Sequence, residues 1–128
     1  MVVWGDPNRL RQVLLNLVSN AIKFTSAGEV RLSVAHDETC ALITVTDTGM
    51  GISSGLLPHV CERFRQGEDA RPREGLGLGL AIARDIVELH EGVLRVDSPG
   101  VGNGTTCTVT LPLKRGAYVD SAAVRVIA

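Results

Sequence analysis

Aromatic side chains are scarce in this chain of 128 residues, with one Trp, one Tyr and two Phe. Aliphatic residues must therefore build most of the core, and at 45% hydrophobic content there are enough of them to do so. Cysteine is also sparse. The three, Cys40, Cys61 and Cys107, are scattered and odd in number, with no metal-ligand spacing and no disulfide framework. They are expected to be small, buried or half-buried side chains in a reducing compartment. Neither charge sign dominates: 13 Lys and Arg stand against 14 Asp and Glu, for a net charge of −1. Phosphate contacts need clustered Lys and Arg, so nucleic acid is not an expected partner. No apolar run is long enough to span a bilayer. Met1–Trp4 passes at once into the polar run Gly5-Asp6-Pro7-Asn8-Arg9, which is not a signal-peptide pattern. A cytoplasmic location is expected, which leaves room for a membrane-anchored parent.

The length fits one domain. Asp6 can cap a helix and Pro7 suits its first position. Leu10, Val13, Leu14, Leu17, Val18 and Ala21 then repeat at helical spacing, to about Phe24. Val30, Leu32 and Val34 alternate with polar residues, as in a half-buried strand, and His36–Thr39 make a turn. Ala41, Ile43 and Val45 form a second strand, and it ends at Asp47 on their side. A loop spans residues 48–54, a short helix runs from about Leu56 to Phe64, and a polar, mobile loop covers Arg65–Glu74. Gly75-Leu-Gly77-Leu-Gly79 opens a second long helix that ends at His90, Glu91 and Gly92. Val93–Asp97 and Thr105–Leu111 are the last clear strands. Together these predict a two-layer α/β sandwich, with a mostly antiparallel sheet and helices packed on one face. The domain is expected over residues 1–113. Residues 114–128 are left as a tail, a linker or a final strand at Val124–Ile127.

Three constellations carry chemistry. Asn16, Asn20 and Lys23 lie within roughly 60° of one another on the first helix, off its apolar centre. A neutral amide oxygen suits Mg²⁺ that also holds phosphates and water, and a lysine one turn on supplies charge to phosphate. A plain solvated helix face would look the same. Asp47 ends a hydrophobic strand on its buried side, where a carboxylate needs strong donors. The exocyclic amine of adenine is such a donor, whereas guanine would present an acceptor and be repelled. An Asx-type turn is the competing reading. The Gly75-x-Gly77-x-Gly79 run frees backbone N–H groups for phosphate at a helix N-terminus. It lacks the Lys-Ser/Thr of a P-loop and the spacing of a dinucleotide fingerprint.

In order and spacing these motifs resemble sensor histidine kinases. Asn16-Leu-Val-Ser-Asn20-Ala-Ile-Lys23-Phe24-Thr25 is similar to their N box, and Asp47-Thr-Gly49-Met-Gly51-Ile52 to the first glycine box. Glu62-Arg-Phe64-Arg-Gln66 resembles the phenylalanine box. Gly75-Leu-Gly-Leu-Gly-Leu-Ala-Ile82 resembles the second glycine box, and Gly102-Asn-Gly-Thr105-Thr106 through Pro112 the last. The likeness covers residues 4 to about 113.

The resemblance implies the Bergerat fold shared with gyrase, MutL-type proteins and heat-shock chaperones. It implies that the chain binds ATP with Mg²⁺ and transfers the γ-phosphate to a histidine. Asn16, Asn20 and Lys23 would form the catalytic set, with Asn20 on Mg²⁺, Asn16 at the phosphate end and Lys23 on phosphate. Phe24 would pack near base or ribose. Asp47 would hold the adenine amine, helped by Thr105 or Thr106 through water, and Gly49 and Gly51 would line the base pocket. Gly75, Gly77 and Gly79, with Leu80, would wrap the triphosphate. Residues from about Gln66 to Glu74 would be a lid hinged on Phe64. Cys61 stands where phenylalanine is common, and Leu76 replaces a common threonine.

The acceptor histidine would lie on a separate dimerisation domain of the same kinase, with a response regulator receiver domain downstream and the isolated chain a monomer. His36, His59 and His90 are expected to be structural or surface residues. The alternatives are an ATP-binding regulatory switch without phosphotransfer and an anti-sigma-type serine kinase.

Overall fold

A computed structural model describes residues 2–62, 76–113 and 125–127. The elements are β1 (Val2–Trp4), α1 (Pro7–Lys23), β2 (Val30–His36), β3 (Cys40–Asp47), a 3₁₀ turn (Leu57–His59), α2 (Leu76–Leu89), β4 (Val93–Asp97), β5 (Thr105–Pro112) and β6 (Arg125–Ile127).

Helix α1 begins where its cap dictates. The Asp6 carboxylate accepts the N–H groups of Asn8 at 2.9 Å and Arg9 at 3.3 Å, and Pro7 follows at the first helical position. The helix buries Leu10, Val13, Leu17 and Ala21. Four strands form an antiparallel sheet in the order β2-β3-β5-β4. On β3, Ala41, Ile43, Val45 and Asp47 are the buried positions, alternating with half-buried ones. Across the ladder they face Leu111, Val109, Cys107 and Thr105 on β5. Helix α2 adds Leu80, Ala83, Ile86 and Val87, so both helices meet the same face and one aliphatic core lies between the layers. Leu17, Val45, Val87, Val109 and Leu111 are all but fully buried. Each side chain of this kind contributes about 1.5–3 kcal/mol by leaving water. The two-layer α/β sandwich read from the sequence is the architecture observed.

Some local expectations change. Strand β2 is barely covered: Leu32 is 51% and Val34 49% exposed. It is one of the sheet's two edge strands, and only its first residue, Val30, packs against the core. The expected helix from Leu56 shrinks to the 3₁₀ turn. Pro58 carries no N–H, and the bonds around it, His59 to Leu56 at 2.8 Å and Glu62 to His59 at 3.0 Å, span three residues rather than four. At the end of α2, Glu91 takes the left-handed conformation (φ 61°), while the Gly92 N–H returns to the Val87 carbonyl at 2.9 Å. The three-residue β1 went unread. It runs parallel to β6 in the register Val2↔Arg125, Val3↔Val126, Trp4↔Ile127, and Val3 also bridges to Leu113. Residues 125–127 therefore form a strand, one of the alternatives raised for the C-terminal stretch. Residues 114–124 lie outside the described residues, as do Phe64, Gly75 and the proposed lid.

Candidate functional site

The end of β3 runs into a loop held by neighbours on two sides. The Met50 N–H donates to the Phe24 carbonyl at 3.0 Å, which ties the loop to the end of α1. On the other side the Gly102 N–H donates to the Met50 carbonyl at 2.7 Å, and the Gly104 N–H to the Gly49 carbonyl at 3.2 Å. These contacts explain the glycines. A Cβ on Gly49 would collide with the Phe24 carbonyl oxygen. At Gly51, φ is +69° and a Cβ would collide with the Gly100 carbonyl oxygen. The sequence suggested that these glycines make room for a flat ligand, but packing within the protein demands them first.

Asp47 is 9% exposed and is the only buried charged side chain among the described residues. One carboxylate oxygen accepts the Gly49 N–H at 2.9 Å. The Asx-type turn is therefore present, and it uses only one of the two oxygens. Asp47 also lines a pocket between the two helices and the sheet. Helix α1 supplies Leu17, Asn20 and Ala21 to the walls, with Phe24 just beyond its end, and α2 supplies Leu80. Val45, Met50, Gly51, Ile52, Thr105 and Cys107 complete the lining. Burial pushes the Cys107 thiol up to about 12, so it stays neutral and adds to an apolar floor. Burial also raises the Cys61 thiol. All three cysteines are free.

Six of the expected residues gather here. Asn20, Phe24, Asp47, Gly51, Leu80 and Thr105 line the pocket together. Thr105 pairs directly with Asp47 across the ladder, whereas Thr106 pairs with Thr46 and Asp97. The pleat sends Thr106 to the opposite face of the sheet, away from the pocket, so of the two threonines only Thr105 can serve it. Asn16 is half-buried beside the pocket, and its amide donates a long bond of 3.4 Å to the Gly79 carbonyl, linking the two helices. Gly79 itself lies against Asn20, whose amide nitrogen is 3.7 Å from where a Cβ would stand. Gly77 lies in the first turn of α2, and Lys23 is exposed in the last turn of α1. Gly49 backs the site rather than lining it. The places of Leu17, Ala21, Val45, Met50, Ile52 and Cys107 in the pocket wall were missed, because in sequence they read only as core or loop.

The polar chemistry at the helix end of the pocket is sparse. The Nδ2 atom of Asn20 is buried without a hydrogen-bond partner. Among the described residues no group of three or more His, Cys, Asp or Glu could hold a metal. An Asn amide beside a glycine-lined helix start fits Mg²⁺ that arrives with phosphates and keeps its waters, rather than one caged by protein. None of the three histidines enters the pocket. His59 pairs with Glu62 at 2.9 Å, and His36 lies on the edge strand. His90 accepts the Asp6 N–H at 3.0 Å and contacts the Ile86 carbonyl through Nδ1 at 2.7 Å, which joins the end of α2 to the start of α1.

The pocket is thus aliphatic, with a buried carboxylate at its sheet end and an unpartnered amide at its helix end. The chain belongs to the family described as histidine kinase-, DNA gyrase B-, and HSP90-like ATPases, whose model matches residues 5–115. Its homologues are sensor histidine kinase catalytic domains. It is 44% identical over 111 residues to the circadian input-output histidine kinase CikA of Synechococcus elongatus, covering 84% of this chain and 15% of that protein. It is 42% identical over 120 residues to the autoinducer 2 sensor kinase/phosphatase LuxQ of Vibrio harveyi, covering 88% of this chain and 14% of LuxQ. The chain thus spans about a seventh of the length of these relatives. Among solved structures, the mycobacterial sensor histidine kinase MprB matches with TM-score 0.74 and 35% identity, over 87% of this chain and 80% of that one. Full-length ShkA in complex with AMPPNP matches with TM-score 0.75 and 30% identity, over 91% of this chain and 26% of that one. No helix among the described residues is long and apolar enough to cross a membrane.

Proposed function

We propose that this chain binds Mg–ATP and transfers the γ-phosphate to a histidine on a separate dimerisation domain of the same sensor kinase, from which a response regulator receiver domain takes it. The observation that carries this reading is Asp47, the buried carboxylate that keeps one oxygen for the pocket. That oxygen accepts the adenine amine, Thr105 stands beside it, and Leu17, Val45, Ile52 and Cys107 enclose the base. Met50 and Phe24 flank the ribose side. At the other end the Asn20 amide meets the phosphates, with its oxygen toward Mg²⁺ and its nitrogen toward a phosphate oxygen. Asn16 and Gly79 hold α2 against Asn20, Gly75 and Gly77 offer N–H groups to the triphosphate, and Lys23 screens its charge.

Mg²⁺ held by Asn20 would supply charge neutralisation to the phosphates. The protein's own part is positioning, which suffices for phosphoryl transfer. A neutral imidazole nitrogen of the acceptor forms the new N–P bond as the bond from γ-phosphorus to the bridging oxygen breaks. ADP leaves with that electron pair. The attacking nitrogen already carries a free lone pair, and the proton on the other ring nitrogen passes to solvent after transfer, so no general base is demanded of this chain.

The test is to add a histidine-containing dimerisation domain and γ-labelled ATP. The account predicts label on the added domain that is lost in acid and stable in base. Acid-stable label would indicate a serine kinase. ATP binding with no label on the acceptor would support the regulatory switch.

A further inference from the structure

Ser98, which follows β4 directly, uses its hydroxyl to the full. Its Oγ donates to the Gly104 carbonyl at 2.7 Å and accepts the N–H groups of Ile52 at 3.0 Å and Gly100 at 3.2 Å. A serine hydroxyl has one hydrogen and two lone pairs, so all three are engaged. The three backbone groups come from two loops, residues 48–52 and 99–104, and Ser98 does not itself line the pocket. Gly51 and Ile52 do line it, and Ile52 is buried. The Ser98 oxygen also stands 3.2 Å from where a Cβ of Gly51 would be, directly behind that wall.

We infer that Ser98 is a positioning residue for base recognition: its hydroxyl fixes Gly51 and Ile52 at the depth at which an adenine amine reaches Asp47. The inference rests on the ATP-binding reading above. Two simple alternatives are weaker on geometry. A water bridge could join the two loops but would not fix their spacing through a covalent anchor on β4. The backbone bond from Gly102 to Met50 ties the same loops, but it acts at Met50, two residues before the Ile52 N–H that Ser98 holds.

The test compares ATP with purine riboside triphosphate, which lacks the exocyclic amine, by calorimetry on the 128-residue chain. Wild type binds ATP more tightly than the analogue. In Ser98→Ala the ATP Kd rises about tenfold, the scale of one lost buried hydrogen bond, while the analogue's Kd changes less than about threefold. A purely structural role would weaken both nucleotides equally, and equal weakening, or no weakening, overturns the inference. Should Ser98→Ala fail to fold, amide exchange in wild type decides the matter. Exchange at Ile52 and Gly100 slows more with ATP than with the analogue, and equal slowing overturns the inference. A wild type that binds both nucleotides equally removes the adenine role of Asp47, and the Ser98 inference with it. A wild type that discriminates, alongside a Ser98→Ala that discriminates as well, removes the Ser98 inference alone.

Discussion

Asp47 and Cys107 lie on adjacent strands in the wall of one pocket. Asp47 meets a backbone N–H with one carboxylate oxygen and has the other to spare. Cys107 has no such donor, and burial pushes its thiol from the ordinary value of 9.0 up to about 12. A raised thiol pKa stabilises the folded protein below the unfolded value, and that contribution is lost as pH rises through the folded one. Between pH 9.0 and about 12, stability should therefore fall in the wild type and less in Cys107→Ala, as followed by denaturant midpoints. A midpoint shift over that range identical in both proteins would contradict the assignment. The sequence disclosed Asp47 because a carboxylate is out of place on an apolar strand face. It did not disclose Thr105 over Thr106, because only the ladder register tells which of two adjacent threonines shares a face with Asp47.

Among the elements, the β2–β3 hairpin is held by one side chain at its turn. The Asp37 carboxylate accepts the N–H groups of Thr39 and Cys40, each at 2.7 Å, and the Thr39 hydroxyl at 3.0 Å. The backbone N–H of Thr39, then that of Cys40, holds its pKa below 3.8. Because the folded value is depressed, the stabilisation is present above the unfolded value and lost as pH falls through the folded one. Asp37→Ala should thus lower the thermal midpoint at neutral pH, and the gap from wild type should close as pH falls below 3.8. A gap unchanged with pH would assign the effect to something other than the carboxylate. Legibility varied with how local each cause was. Helix α1 announced itself through Asp6, Pro7 and an apolar period, all written within its own residues. Strand β1 did not, because three residues carry no period and what makes them a strand is pairing with β6, more than a hundred positions away. The exposure of β2 was equally hidden: Leu32 and Val34 alternate like buried residues, but their cover depends on where the helices stop.

For the whole molecule, the sheet and two helices bring the end of β3, the last turns of α1, the first turns of α2 and the start of β5 to one pocket. Residues from Leu17 to Cys107 converge there, so the site is a property of the fold and not of any one segment. The motif order showed the fold class and most of the polar site, since glycines and buried polar residues leave marks in sequence. The apolar walls were illegible, because Leu17 and Val45 look like any core residue until the far wall is in place. On the proposed reading, this pocket receives ATP with the adenine amine on Asp47. The most direct measurement is calorimetry with Mg–ATP on wild type and Asp47→Asn. Asparagine can keep the turn bond from Gly49, but it loses the charged acceptor that the amine requires. The account predicts binding in wild type, weakened about 10- to 100-fold in the variant, the scale of a hydrogen bond to a charged group. Equal affinity in the two proteins, with both folded, would contradict it.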